Sequence, residues 1–185
     1  SKVYRVDYAS DTATASERGP LTSGRKYVHS VGNNNYGYTD GGYPSSTQSR
    51  IDRVDYANDT NTATSLGNIF SPGNRGTDTA GNLNYGYWGG GGGYLPRQST
   101  VTRLDYSNDT APTSPRGPLS HTSSSNVAVG NADYGYWQLS YPSSTRTQLD
   151  RVDYSNDTAT ALPKGNLTAT GYRQTATGNA NYGYF

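Results

Sequence analysis

The sequence predicts an all-β fold made of four copies of one unit. Three observations predict it. Two blocks of sequence recur with a common period, turn-forming residues punctuate every copy, and no stretch combines helical periodicity with caps. The first block is VYRVDYASDT (3–12), which returns as IDRVDYANDT (51–60), VTRLDYSNDT (101–110) and LDRVDYSNDT (149–158). It sets Tyr8, Tyr56, Tyr106 and Tyr154 at spacings of 48, 50 and 48 residues. The second block is NNNYGY (33–38), NLNYGY (82–87), NADYGY (131–136) and NANYGY (179–184). A weaker third block lies between them: RGPL at 18–21 and 116–119, KGNL at 164–167, with repeat two reading LGNI at 66–69.

Each unit reads as four short strands. The first, xxRVDY, alternates Val6 and Tyr8 on one face with Arg5 and Asp7 on the other, as a half-buried strand does. Asn-Asp-Thr supplies a turn, because Asn and Asp side chains bond the nearby backbone. A Thr/Ala/Ser stretch makes the second strand, and Arg-Gly-Pro ends it in a segment that proline bars from a central position. A variable stretch such as RKYVHSVG (25–32) is the third strand. Gly-Asn turns the chain again, and xYGYW is the fourth. Superposed repeats are expected to place the four tyrosines equivalently, and likewise Gly37, Gly86, Gly135 and Gly183. The glycine of YGY suits a close approach of backbones, as near a propeller axis.

Four strands in 48 to 50 residues is the arithmetic of a propeller blade, a sheet that buries its faces only against its neighbours. The expectation is a single domain, 1–185, with repeats starting near 3, 51, 101 and 149. The phase of the ends suggests a last blade composed of 3–16 and 172–185, within one chain or between chains, which would remove exposed strand edges.

Composition narrows the function. Only 31% of the 185 residues are apolar, and 18 of these are Tyr. Such low apolar content alone suggests disorder, but a disordered chain has no reason to hold aromatics in register. The tyrosine ladders therefore read as core, with a partner needed for each buried hydroxyl. A net charge of +1 gives no footprint for nucleic acid, and no apolar run approaches the ~20 residues of a membrane span. With neither Cys nor Met, disulfides and thiolate metal sites are impossible. No secretory leader pattern is visible, and an opening Ser1 without Met points to a processed or partial chain.

YGYTDGGY (36–43) and YGYWGGGGGY (85–94), followed by the RVDY or RLDY strands, resemble the kelch repeat, in which a glycine-pair strand precedes a Tyr strand. The resemblance touches all four repeats and implies a propeller architecture. It departs from the family where Thr or Ala stands for the Trp, as in NDTATA (156–161), and where YGYWQLSY (134–141) lacks the glycine pair. The wording DYSNDTATA, RGPL and GNxxYGYF also resembles repeat proteins of tailed phages of aquatic bacteria. That resemblance implies a virion or tail-associated role and an extracellular or virion-surface location.

Candidates for chemistry are few. His29 and His121 have no counterparts in the other repeats and read as bystanders. GGGGG (89–93) lacks the Lys-Ser/Thr and helix of a phosphate loop. The pairs Arg5/Asp7, Arg53/Asp55, Arg103/Asp105 and Arg151/Asp153 read as ion pairs along or between blades, or more sharply as a charged ring facing a channel. The loops 55–59, 105–109 and 153–157 are oxygen-rich enough to bind Ca²⁺, but they lack the Gly and distal Glu of an EF-hand and read as Asx turns. No metal or cofactor is therefore assigned. Asn58, Asn108, Asn156 and Asn166 match the N-glycosylation pattern, which matters only in a eukaryotic secreted chain.

These readings favour a non-enzymatic surface module that binds glycan or protein through blade loops. Trp88, Trp137, Tyr43, Tyr94 and Tyr141 are the candidate contacts, although the two Trp also suit a core. The alternative is a structural subunit of an extracellular filament or array, assembled by strand exchange between copies of the chain. A hydrolytic propeller enzyme ranks third, for want of a non-repeated cluster of titratable groups.

Overall fold

The computed structural model describes residues 1–42, 49–68, 76–92, 96–140, 147–169 and 174–185. It is all-β, with sixteen strands among these residues in five antiparallel sheets. Strands β1 (Val3–Arg5) and β2 (Ser16–Arg18) form a two-stranded sheet. A four-stranded meander follows: β3 (Ser30–Gly32), β4 (Tyr36–Asp40), β5 (Arg50–Asp55) and β6 (Thr64–Asn68). The same meander recurs as β7 (Thr77–Gly81), β8 (Tyr85–Gly90), β9 (Val101–Asp105) and β10 (Ser114–Arg116). It recurs again as β11 (Val127–Gly130), β12 (Tyr134–Gln138), β13 (Gln148–Asp153) and β14 (Leu162–Asn166). Strands β15 (Thr177–Gly178) and β16 (Gly183–Tyr184) make the last two-stranded sheet.

Local chemistry explains the turns. Between β3 and β4, Asn33 Oδ1 accepts from the backbone N–H of Asn35 and Tyr36, and Asn82, Asn131 and Asn179 do the same in their copies. After β1, β5, β9 and β13 the chain makes one 3₁₀ turn, opened by Tyr8, Tyr56, Tyr106 and Tyr154. Each is capped by the preceding Asp7, Asp55, Asp105 or Asp153, whose carboxylate accepts from the N–H two residues on. Pro115 and Pro163 sit in edge strands, where a missing N–H costs no ladder bond.

The propeller expectation is corrected. Each four-stranded sheet takes the third and fourth strands of one repeat and the first and second of the next. The sheets lie in a row, with β7 against β3 and β11, and β11 against β15. No ring closes. The composite blade of 3–16 and 172–185 does not form within the chain, since β1–β2 and β15–β16 are separate sheets. The physical reason is that the same intersheet contact repeats at each junction, and a repeated head-to-tail contact closes only if its rotation divides the circle. Here β15 and β16 come to rest on β11. The kelch resemblance falls with the ring. The YGY glycines mark no axis either: a Cβ on Gly37, Gly86 or Gly135 would lie 2.7, 2.8 or 2.7 Å from the hydroxyl of Tyr56, Tyr106 or Tyr154 in the same sheet.

The core lies between sheets. Tyr38, Ile51, Trp88, Leu104 and Tyr106 fill the first junction between four-stranded sheets. Tyr87, Val101, Leu119, Trp137, Leu139, Val152 and Tyr154 help fill the second. Aromatic rings thus supply the burial that the scarce aliphatics cannot.

Candidate assembly site

The junctions between sheets are built from a repeated set of side chains. The second Tyr of each YGY reaches from its strand to the next sheet. The Tyr38 ring stacks on Tyr106, with centroids 4.8 Å apart and planes 6° apart, and its hydroxyl donates to Asp109 Oδ2 at 2.8 Å. Tyr87 repeats this on Tyr154 at 4.6 Å and 7°, donating to Asp157 Oδ2 at 2.9 Å. The same carboxylates take an arginine from the preceding sheet: Arg53 to Asp109 and Arg103 to Asp157, each at 2.7 Å. Arg116 adds a second guanidinium to Asp157 at 3.1 Å. Where β1–β2 meets the β3–β6 sheet, Arg5 and Arg18 hold Asp59 at 2.8 and 3.2 Å.

Backbone contacts lock two of these junctions. Gly19 N–H donates to the Asp59 carbonyl and Gly117 N–H to that of Asp157, both at 2.8 Å. A Cβ on either glycine would lie 1.8 Å from the carbonyl oxygen of Asn61 or Ala159, so nothing larger than glycine fits there. Burial, reinforced by the hydrogen bond to Asp109 or Asp157, pushes the hydroxyl pKa of Tyr38 and Tyr87 well up and keeps both as neutral donors. The hydrogen bond from Arg53 to Asp109 raises the guanidinium pKa further.

The Arg-x-Asp pairs are therefore divided between two tasks. Each Asp caps its own 3₁₀ turn, and Arg5, Arg53 and Arg103 reach to the next sheet. Arg151 lies over the Tyr134 ring at 4.3 Å and makes no ion pair among the described residues. The ring of charges facing a channel has no channel to face. The acceptors Asp59, Asp109 and Asp157, and Asp11 at the matching position, were missed by sequence reasoning. Their signal was present in the Asp of (Ser/Asn)-Asp-Thr, shared by all four copies.

The other candidates scatter. Trp88 and Trp137 are 1% and 0% exposed, so neither offers a face to a sugar. Tyr43, Tyr94 and Tyr141 lie outside the described residues. Asn58, Asn108, Asn156 and Asn166 are exposed, the first three on the 3₁₀ turns and the last on β14. His121 pairs with the Ser120 hydroxyl at 2.9 Å. His29 packs between Asp40 and Thr77 in the junction of β3 and β7. Burial opposes its charge, but the hydrogen bond to Asp40 and the charges of Asp40 and Asp78 prevail and raise its pKa. Among the described residues no three His, Cys, Asp or Glu side chains converge to hold a metal ion, and no helix is long and apolar enough to cross a membrane.

No family model matches the chain, and no curated protein matches it. The resemblance to phage virion and tail-associated repeat proteins is corrected accordingly. The shared words DYSNDT, RGPL and YGYF are the turn caps, edge strands and junction tyrosines that this sheet geometry requires. Local requirements of that kind carry no lineage or location.

Proposed function

We propose that this protein is a non-enzymatic structural module, a subunit of an array assembled by strand pairing between chains. One observation carries the reading. The sheet β1–β2 has the first and second strands of a unit and lacks the third and fourth, while β15–β16 has the third and fourth and lacks the first and second. The two are complementary halves of a sheet that the chain builds three times. The pairing follows from the complete copies, where Tyr36, Gly37 and Tyr38 oppose Asp55, Val54 and Arg53. By the same register Tyr182, Gly183 and Tyr184 oppose Asp7, Val6 and Arg5 of another chain. Free edges invite such addition, because unpaired N–H and C=O groups are hydrogen-bonding partners in waiting. Glycan binding draws less support, since both tryptophans are spent in the core.

Sedimentation velocity over a rising concentration series tests the proposal. The expected result is a ladder of oligomers that vanishes when residues 182–185 are removed. A wild-type chain that stays monomeric throughout the series would overturn it.

A further inference from the structure

The side chains left over at the two half sheets are the two halves of one junction. The geometry points to a head-to-tail contact in which Tyr8 and Asp11 of one copy dock on Tyr136 and Arg151 of a second copy of this chain. This deepens the array reading and rests on it.

The socket lies on the β11–β14 sheet. Tyr136 occupies the position of Tyr38 and Tyr87 but is only half-buried, whereas those two are fully buried. Among the described residues no ring stacks flat on it. In its place is an open cleft of about 210 Å³ lined by Val129, Tyr136, Leu149, Tyr182 and Phe185. At the other junctions this space holds the ring of Tyr106 or Tyr154, seated over Gly86 or Gly135. Gly183 is the matching glycine, and no tyrosine ring of the described residues covers it. Arg151 matches Arg53 and Arg103 without their carboxylate. Lys164 takes the place of Arg18 and Arg116.

The plug lies next to β1. Tyr8 matches Tyr106 and Tyr154 and is 93% exposed, where those are 9% and 8%. Asp11 matches Asp109 and Asp157, is exposed, and makes no side-chain hydrogen bond or ion pair among the described residues. Val6 matches the buried Leu104 and Val152 and is 49% exposed. Placed as in the complete junctions, Tyr8 fills the cleft over Gly183 and stacks on Tyr136. Asp11 then takes the Tyr136 hydroxyl and the Arg151 guanidinium. The charges agree, since a lone carboxylate meets Arg151 and Lys164. Because each face is unlike itself and complementary to the other, the contact is heterologous and propagates.

Two variants at opposite faces test this. Asp11→Arg sets a cation against Arg151 and Lys164, and Leu149→Lys sets a charged chain in the cleft that the Tyr8 ring must fill. Each alone is expected to stay monomeric with an unchanged far-UV spectrum. Mixed in equal amounts they are expected to form a dimer that grows no further, through the one intact plug and the one intact socket. Tyr8→Ala, on a ring already in solvent, is a second plug variant and is expected to weaken association at least tenfold. If all three variants still assemble like wild type while removal of 182–185 abolishes assembly, strand pairing stands and the side-chain junction is overturned. A mixture that stays monomeric overturns the head-to-tail geometry. A wild-type chain that never assembles overturns both and leaves the faces to another occupant.

Discussion

The Tyr38 ring lies flat on the Tyr106 ring although 68 residues and a sheet boundary separate them, their centroids 4.8 Å apart. That pair is the unit of cohesion in this fold. One ring comes from a central strand of one sheet and the other from the 3₁₀ turn of the next, so folding of one sheet is coupled to placement of its neighbour.

Removal of the carboxylate beneath this pair should be costly. Asp109→Ala strands the Tyr38 hydroxyl and the Arg53 guanidinium together. The expected loss is about 3 kcal/mol, the low end for breaking a buried pair because Arg53 keeps some contact with solvent. For a chain of this length that lowers the melting temperature by roughly 6–12 °C. A calorimetric shift below 2 °C would show that the carboxylate is not holding the sheets.

Tyrosine hydroxyls on the two sides of the stack should differ. The Tyr106 hydroxyl has no hydrogen-bond partner among the described residues, whereas Tyr38 donates to Asp109. Tyr106→Phe should therefore stay within about 0.5 kcal/mol of wild type, and Tyr38→Phe should cost about 1–3 kcal/mol. Tyr106→Ala should cost about 3–5 kcal/mol, because it empties the slot over Gly86. Urea unfolding of the three variants checks the order.

Gly117 should accept no side chain. Its Cβ would fall 1.8 Å from the carbonyl oxygen of Ala159, a residue of the β13–β14 connection whose N–H donates to the Asn156 carbonyl. Gly117→Ala should cost about 3 kcal/mol, the top of the usual overpacking range. Thermal unfolding followed by near-UV circular dichroism would reveal it.

Acidity should favour the His29 junction. A folded pKa raised above the unfolded value of about 6.5 means that the proton binds the folded state more tightly. That stabilisation is complete below about pH 6.5 and is lost as pH rises through the folded value. The facing groups are Asp40, Asp78 and Thr77. The melting-temperature gap between wild type and His29→Gln should thus be wider at pH 5.5 than at pH 8.5. An equal gap at both would show that the ring stays neutral.

The sequence by itself determined the period, the all-β class and the turns. These depend on contacts only two or three residues long, such as Asp105 capping Ser107 or Asn82 receiving Asn84 and Tyr85. It also placed Tyr106 and Tyr154 in equivalent positions, because an identical local frame repeats. Only the tertiary structure decided how the units add up. Whether repeated sheets close into a ring or run in a row depends on the angle each junction sets, and that angle arises from contacts across some 50 to 70 residues, such as Tyr38 to Asp109 and Arg103 to Asp157. A period fixes how often a contact recurs and is silent on its geometry. For the same reason Asp109 read as one more turn residue: its turn is local, but its partners come from the preceding sheet.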